Sequence, residues 1–96
     1  MRVRYTLRAR DDLDAIYDDL DQRDSEAAQA VKELIEQRIA RLSMFPLMAP
    51  ATDEPGIFEL SIVRYPYMVY YELKGEDEVW IIHIRDTRRK SWRGIA

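Results

Sequence analysis

The segment VWIIHIRDTRRKSWRG, from Val79 to Gly94, constrains the fold more than any other stretch. Its first half carries Val79, Trp80, Ile81, Ile82 and Ile84 almost without interruption and reads as a buried strand. Its second half gathers Arg85, Arg88, Arg89, Lys90 and Arg93 against Asp86 alone. A core element running straight into a basic segment presents a charged edge to a partner, and the remaining residues must hold that edge still.

The supporting elements follow from changes of hydrophobic period. Val3, Tyr5 and Leu7 alternate with Arg2, Arg4, Thr6 and Arg8, the period of two of a strand with one apolar and one cationic face. From Ala9 onward, Ala9, Leu13, Ile16, Tyr17 and Leu20 recur at helical spacing. Asp11 and Asp12 are expected in the first turn of this helix, where negative charge is favourable, and the other aspartates on a solvated face. A short break at residues 22–24, with Asp24 or Ser25 as N-cap, leads to a second helix. Ala27, Val31, Leu34, Ile35, Ile39 and Leu42 form its apolar stripe, and Pro46 ends it near Met44 or Phe45. So short a break allows only an antiparallel helical hairpin.

Residues 46–56, PLMAPATDEPG, read as a loop closing over the core, with Leu47 or Met48 as anchor. Three strands follow. Phe58, Leu60 and Ile62 point inward from the first, then Arg64–Pro66 makes a tight connection. Tyr67, Val69, Tyr71 and Leu73 share one face of the second, with Met68, Tyr70 and Glu72 on the other. Residues 74–77, KGED, form a hairpin turn. In the closing strand the alternation places Trp80, Ile82 and Ile84 in the core, with Val79, Ile81, His83 and Arg85 outward. The order β-α-α-β-β-β makes an α+β fold, a small antiparallel sheet packed by an N-terminal helical hairpin. The first strand is expected beside the closing one, bringing Arg2 and Arg4 near His83 and Arg85.

The 96 residues form one domain, 1–96, long enough to bury one core. No apolar run reaches the ~18 residues needed to cross a membrane. The N-terminal MRVRYTLRAR lacks the apolar centre of a signal peptide, and with no cysteine the expectation is a cytoplasmic protein. The net charge of -3 conceals segregation: both ends are rich in arginine, and an acidic segment from Asp11 to Glu26 lies between them.

The residues give no support for most catalytic chemistries. One histidine, no cysteine and a mid-strand Ser61 do not make a triad. Three glycines in no G-x-G-x-x-G or Walker pattern do not cradle phosphate, and no metal or cofactor is expected. His83 is by default a sheet histidine, a catalytic one being the alternative. The tyrosines suit strand packing, with Tyr70 set apart because it faces outward. Arginine clustered off a strand with Trp92 interleaved suits phosphate, carboxylate or a protein interface, and the patch alone does not choose among them.

The pieces ARDDLDAIYDDL, RLSMFP, GIFELSI, RYPYMVYYEL and VWIIHIRDTRRKSW, in this order, resemble a RelE/ParE-superfamily toxin of a type II toxin–antitoxin system. The likeness spans nearly the whole chain and implies the same fold. RelE-like members are ribosome-dependent mRNA endoribonucleases using sheet arginines and lysines with a C-terminal tyrosine. ParE-like members poison DNA gyrase without that set. Where RelE-like sequences place arginine after the first tyrosine of YMVYY, this chain has Met68. Arg88 or Arg89 matches the arginine of their closing loop, but only Trp92 and Ile95 follow where a tyrosine is needed. The resemblance therefore implies a ParE-like toxin that grips its target through Arg85, Arg88, Arg89, Lys90 and Trp92. It also implies a cognate antitoxin, a hetero-oligomer with it, and a part in plasmid stabilisation. The alternatives are a ribonuclease acting on mRNA in the ribosome, with Arg85, Arg88, Arg89 and His83 as catalytic candidates, and an inactive relative that binds only its antitoxin.

Overall fold

The computed structural model describes residues 1–88. Strand β1 (Arg2–Tyr5) leads into helices α1 (Leu7–Arg23) and α2 (Ser25–Ala40), and a short 3-10 turn at Arg41–Ser43 ends the hairpin. Strands β2 (Ile57–Ile62), β3 (Tyr67–Lys74) and β4 (Glu78–Asp86) follow as an antiparallel meander. The sheet order is β1-β4-β3-β2, with β1 added parallel to β4. This is the expected α+β architecture, with a mixed sheet in place of the antiparallel one expected. No helix among the described residues is long and apolar enough to cross a membrane.

The hairpin is joined through one residue. The Asp24 amide donates to Leu20 O at 2.8 Å and closes α1, while its carboxylate accepts from the amides of Glu26 and Ala27 at 3.1 Å and opens α2. One side chain thus meets the unsatisfied groups of two helix ends. At the other end of α1 the cap is Thr6, whose hydroxyl accepts from Ala9 N at 3.1 Å. Leu7 is therefore the first helical residue and 80 % exposed, not the inward end of the strand. With the helix starting there, Asp11 and Asp12 lie beyond the first turn, which holds no acidic residue.

The helices cover one face of the sheet. Val31, Ile35, Ile39 and Leu42 from the α2 side pack with Leu60, Ile62, Tyr67, Val69, Tyr71, Val79, Ile81 and Ile84 of the strands, and Ala9 lets α1 approach closely. The inward set of β4 differs from the expected Trp80, Ile82 and Ile84 because β4 carries a bulge. Tyr70 pairs with His83 and Tyr71 with Ile81, so Ile82 is the extra residue. An inserted residue reverses the alternation. Before the bulge Val79 and Ile81 are inward, after it Ile84, and Trp80 and Ile82 are left half-buried.

The register also corrects the position of the N-terminal arginines. Because β1 is parallel to β4, Arg2 pairs with Glu78 and Arg4 with Trp80, at the opposite end of β4 from His83 and Arg85. The loop is likewise held differently: Leu47 is 69 % exposed and Met48 is exposed too, whereas Ala49 is buried. The Tyr71 hydroxyl donates to Pro46 O at 2.8 Å, and residues 50–52 run alongside β2, with Glu59 N donating to Pro50 O at 3.0 Å and Thr52 N to Ile57 O at 2.8 Å. Buried backbone needs partners more than this loop needs an apolar plug. The β2–β3 connection holds Arg64 at φ 82, a left-handed backbone unfavourable for a residue with a Cβ.

Two stability measurements check these points. Arg64→Gly should stabilise the fold by about 0.5–1 kcal/mol in urea titrations by releasing the left-handed penalty, net of the glycine entropy cost. Burial raises the phenol pKa values of Tyr5, Tyr17, Tyr67 and Tyr71 above the ordinary value, with Glu36 adding to the effect at Tyr5 and Tyr17, and Asp86 at Tyr67. The folded state therefore keeps protons that the unfolded chain releases near pH ~10, so stability is intact below that pH and falls as pH rises above it. Tyrosinate absorbance should lag behind that of a free-tyrosine mixture, then jump as the fold opens.

Candidate functional site at the end of the closing strand

β1 is only four residues long, whereas β4 has nine, so the last part of β4 outruns its neighbour. Where β1 turns away, α1 takes over its hydrogen bonding. Thr6 N donates to Ile81 O at 3.0 Å and the Thr6 hydroxyl to Ile82 O at 3.2 Å. Further along α1, Asp12 Oδ2 accepts from the Ile84 amide at 2.9 Å and meets His83 Nδ1 at 2.7 Å. A carboxylate can only accept, so Nδ1 carries the proton in this pair. A helix side chain thus does the work of a missing strand for a backbone donor that burial would otherwise leave costly.

On the face away from the helices, His83 stacks on Tyr70, with ring centroids 5.8 Å apart and planes 13° apart. The Tyr70 hydroxyl accepts from Arg85 Nε at 3.0 Å. Asp12, His83, Tyr70 and Arg85 therefore form one connected polar row across the end of the sheet. Tyr70 is 2 % exposed and His83 7 %, so both serve as packing as well as polar groups. Beyond Arg85 the chain turns. Asp86 accepts from the Arg88 amide at 2.9 Å and takes the Arg88 guanidinium in a two-point contact, Nε at 3.0 Å and Nη2 at 2.7 Å. This contact raises the Arg88 pKa further above its ordinary value. Thr87 N donates to Pro66 O at 2.6 Å, fastening the turn to the β2–β3 connection.

The residues singled out by the sequence are therefore differently placed. Arg85 is half-buried and bonded to Tyr70, Arg88 is exposed and paired with Asp86, and His83 is buried against Asp12. Arg89, Lys90 and Trp92 lie outside the described residues. Sequence reasoning missed Asp12 and Asp86. The signal for Asp12 was present: it follows Ala9 by three and precedes Ile16 by four, which places it on the inward side of α1 and not among the solvated acids.

Asp12→Ala, which removes the acceptor from the Ile84 amide, should cost about 1–3 kcal/mol of stability in denaturant titrations. Asp12→Asn, which keeps an oxygen there, should cost less, and hydrogen exchange at the Ile84 amide should follow the same order.

Residues 3–91 match the family described as ParE toxin of type II toxin-antitoxin system, parDE. Among solved structures, a chain of the chromosomal ParDE TA system from P. aeruginosa superimposes with a TM-score of 0.78 at 28 % identity, covering 90 % of this chain and 95 % of that one. No match was found among curated protein sequences. Family pattern and backbone likeness cover the same elements that build the row at the end of β4, and the chain belongs to the ParE family of toxins of type II toxin–antitoxin systems.

Proposed function

We propose that this toxin stops growth by gripping a large target, DNA gyrase, with the basic segment that leaves β4, and that a cognate antitoxin neutralises it. The observation that carries the reading is how firmly the root of that segment is mounted. Asp12 fixes the Ile84 amide, Tyr70 fixes Arg85, and Thr87 is tied to Pro66, so Arg88 and the residues after it start from a rigid base. A charged segment on a rigid base loses little entropy on docking, which favours binding. Arg85, Arg88, Arg89, Lys90 and Trp92 are the residues assigned to the target, and the protein works in the cytoplasm as a hetero-oligomer with its antitoxin until released.

Cleavage of RNA fits less well. It needs a group that takes the 2′-hydroxyl proton and has access to the substrate. His83, the nearest candidate, is buried with its Nδ1 committed to Asp12, and Tyr70 is buried beside it. Met68, half-buried opposite Arg85 in the register, contributes no charge.

Purified protein should inhibit gyrase supercoiling and leave mRNA on translating ribosomes intact. Cleaved message with unaffected supercoiling would overturn the assignment in favour of the endoribonuclease. Replacing Arg88 and Arg89 together with alanine should raise the inhibitory concentration about tenfold or more. The melting temperature of that variant should change little, since the Arg88–Asp86 pair is exposed on the arginine side.

A further inference from the structure

Among the described residues three have a left-handed backbone: Gly56 at φ 82, Gly75 at φ 65 and Arg64 at φ 82. The first two are glycine, the residue that takes this conformation without a Cβ clash. Arg64 meets the same requirement with a long side chain and at a cost in stability. Glycine would remove that clash here too, so the geometry of the turn does not by itself explain an arginine. A strained residue that its surroundings hold in place points to a use for its side chain.

The surroundings do hold it. Tyr65 N donates to Ile62 O at 3.1 Å and Tyr67 N to Tyr65 O at 2.9 Å, closing the turn around Arg64. Thr87 N donates to Pro66 O at 2.6 Å and Tyr67 pairs with Asp86, so the turn is fastened where the basic segment leaves β4. Val63, next to Arg64, is 63 % exposed. Other arginines at this end are engaged: Arg23 by Asp19, Arg85 by the Tyr70 hydroxyl and Arg88 by both oxygens of Asp86. Asp19, Arg23, Asp86 and Arg88 all act on the Tyr67 phenol, which puts both ion pairs beside the same strand end. Arg64 is exposed, and among the described residues no carboxylate pairs with it.

We propose that Arg64 is a target-binding residue, taking a carboxylate on the surface of the target protein in a two-point contact while Val63 packs beside it. This role rests on the gyrase reading above and adds to it a contact outside the closing strand and the segment after it. An arginine already paired must release its own carboxylate to take another; Arg64 has none to release. Its guanidinium matches a carboxylate with two parallel N–H···O bonds, and an apolar neighbour that excludes water strengthens such a pair. The held turn presents the side chain from a fixed backbone, so less freedom is lost on docking. A phosphate of the DNA on which gyrase acts offers the same charge but nothing apolar to cover Val63, and fits less well.

Inhibition of gyrase supercoiling, measured across variants of the full chain, tests this role. Arg64→Gly and Arg64→Gln should each raise the inhibitory concentration about tenfold, and Arg64→Lys about threefold, since lysine keeps the charge without the fork. Arg64→Gly should lose inhibition while unfolding at a higher urea concentration than the parent chain, so the loss is not one of folding. Arg64→Gln keeps the Cβ and the strain, so its loss is not that of a loosened turn. Arg41→Gln, which removes the same charge near the Met1–Ser43 contact at the other end of the sheet, should leave inhibition unchanged. Equal inhibition by the parent chain and Arg64→Gln, or an equal loss with Arg41→Gln, would overturn the role of Arg64 and leave the gyrase reading standing. A parent chain without effect on supercoiling would overturn both. Binding to gyrase free of DNA decides the class of ligand. The tenfold loss should persist there; a loss seen only with DNA present would assign Arg64 to phosphate and overturn the carboxylate contact.

Discussion

The architecture depends on one carboxylate accepting one backbone amide. β4 is more than twice as long as β1, and a central strand that outruns its neighbour leaves donors with nowhere to go in a largely apolar surrounding. Asp12 answers this from the adjacent helix, and because the same oxygen also holds His83 Nδ1, it sets the position of two successive residues of β4. Helix, strand and the outer-face stack of His83 on Tyr70 are thereby coupled. Without it the end of β4 would fray, and the basic segment would begin from a loose end.

The bulge at Ile82 belongs to the same problem. A strand that kept strict alternation from Val79 would have turned His83 inward with Val79 and Ile81, and Ile84 outward. Inserting Ile82 lets the strand bury Val79 and Ile81 at one end and Ile84 at the other while His83 and Arg85 stay on the outer face. The near-continuous apolar run that drew attention in the sequence is thus the composition a strand needs when it changes phase halfway. Each half supplies inward residues of its own, and Trp80 and Ile82 cover the outer face.

How legible this was from the sequence follows from what each feature rests on. Element order and type rest on local period, and the helices, the meander and the neighbouring of β1 and β4 were all readable. Phase within β4 was not, because a bulge leaves an apolar run looking uniform. The direction of β1 against β4 was not readable either: an antiparallel sheet was expected and β1 runs parallel to β4, because two antiparallel helices return the chain to the end where it began and the three-strand meander then runs β4 alongside β1. The site was readable as a place and not as a set of partners. Arg85 and Arg88 stand where the charge pattern put them, yet Tyr70 and Asp86 hold them, and pairings between residues 15 apart or within a turn leave no periodic trace.

The distribution of restraint then separates the roles of the two ends of β4. At its C-terminal end almost every polar group near the strand is engaged, so charges that leave it are presented from a fixed origin. At its N-terminal end the neighbour is the short strand β1, with Arg2 and Arg4 exposed beside Trp80. A fixed origin favours grip on a preformed surface, because little further ordering is needed.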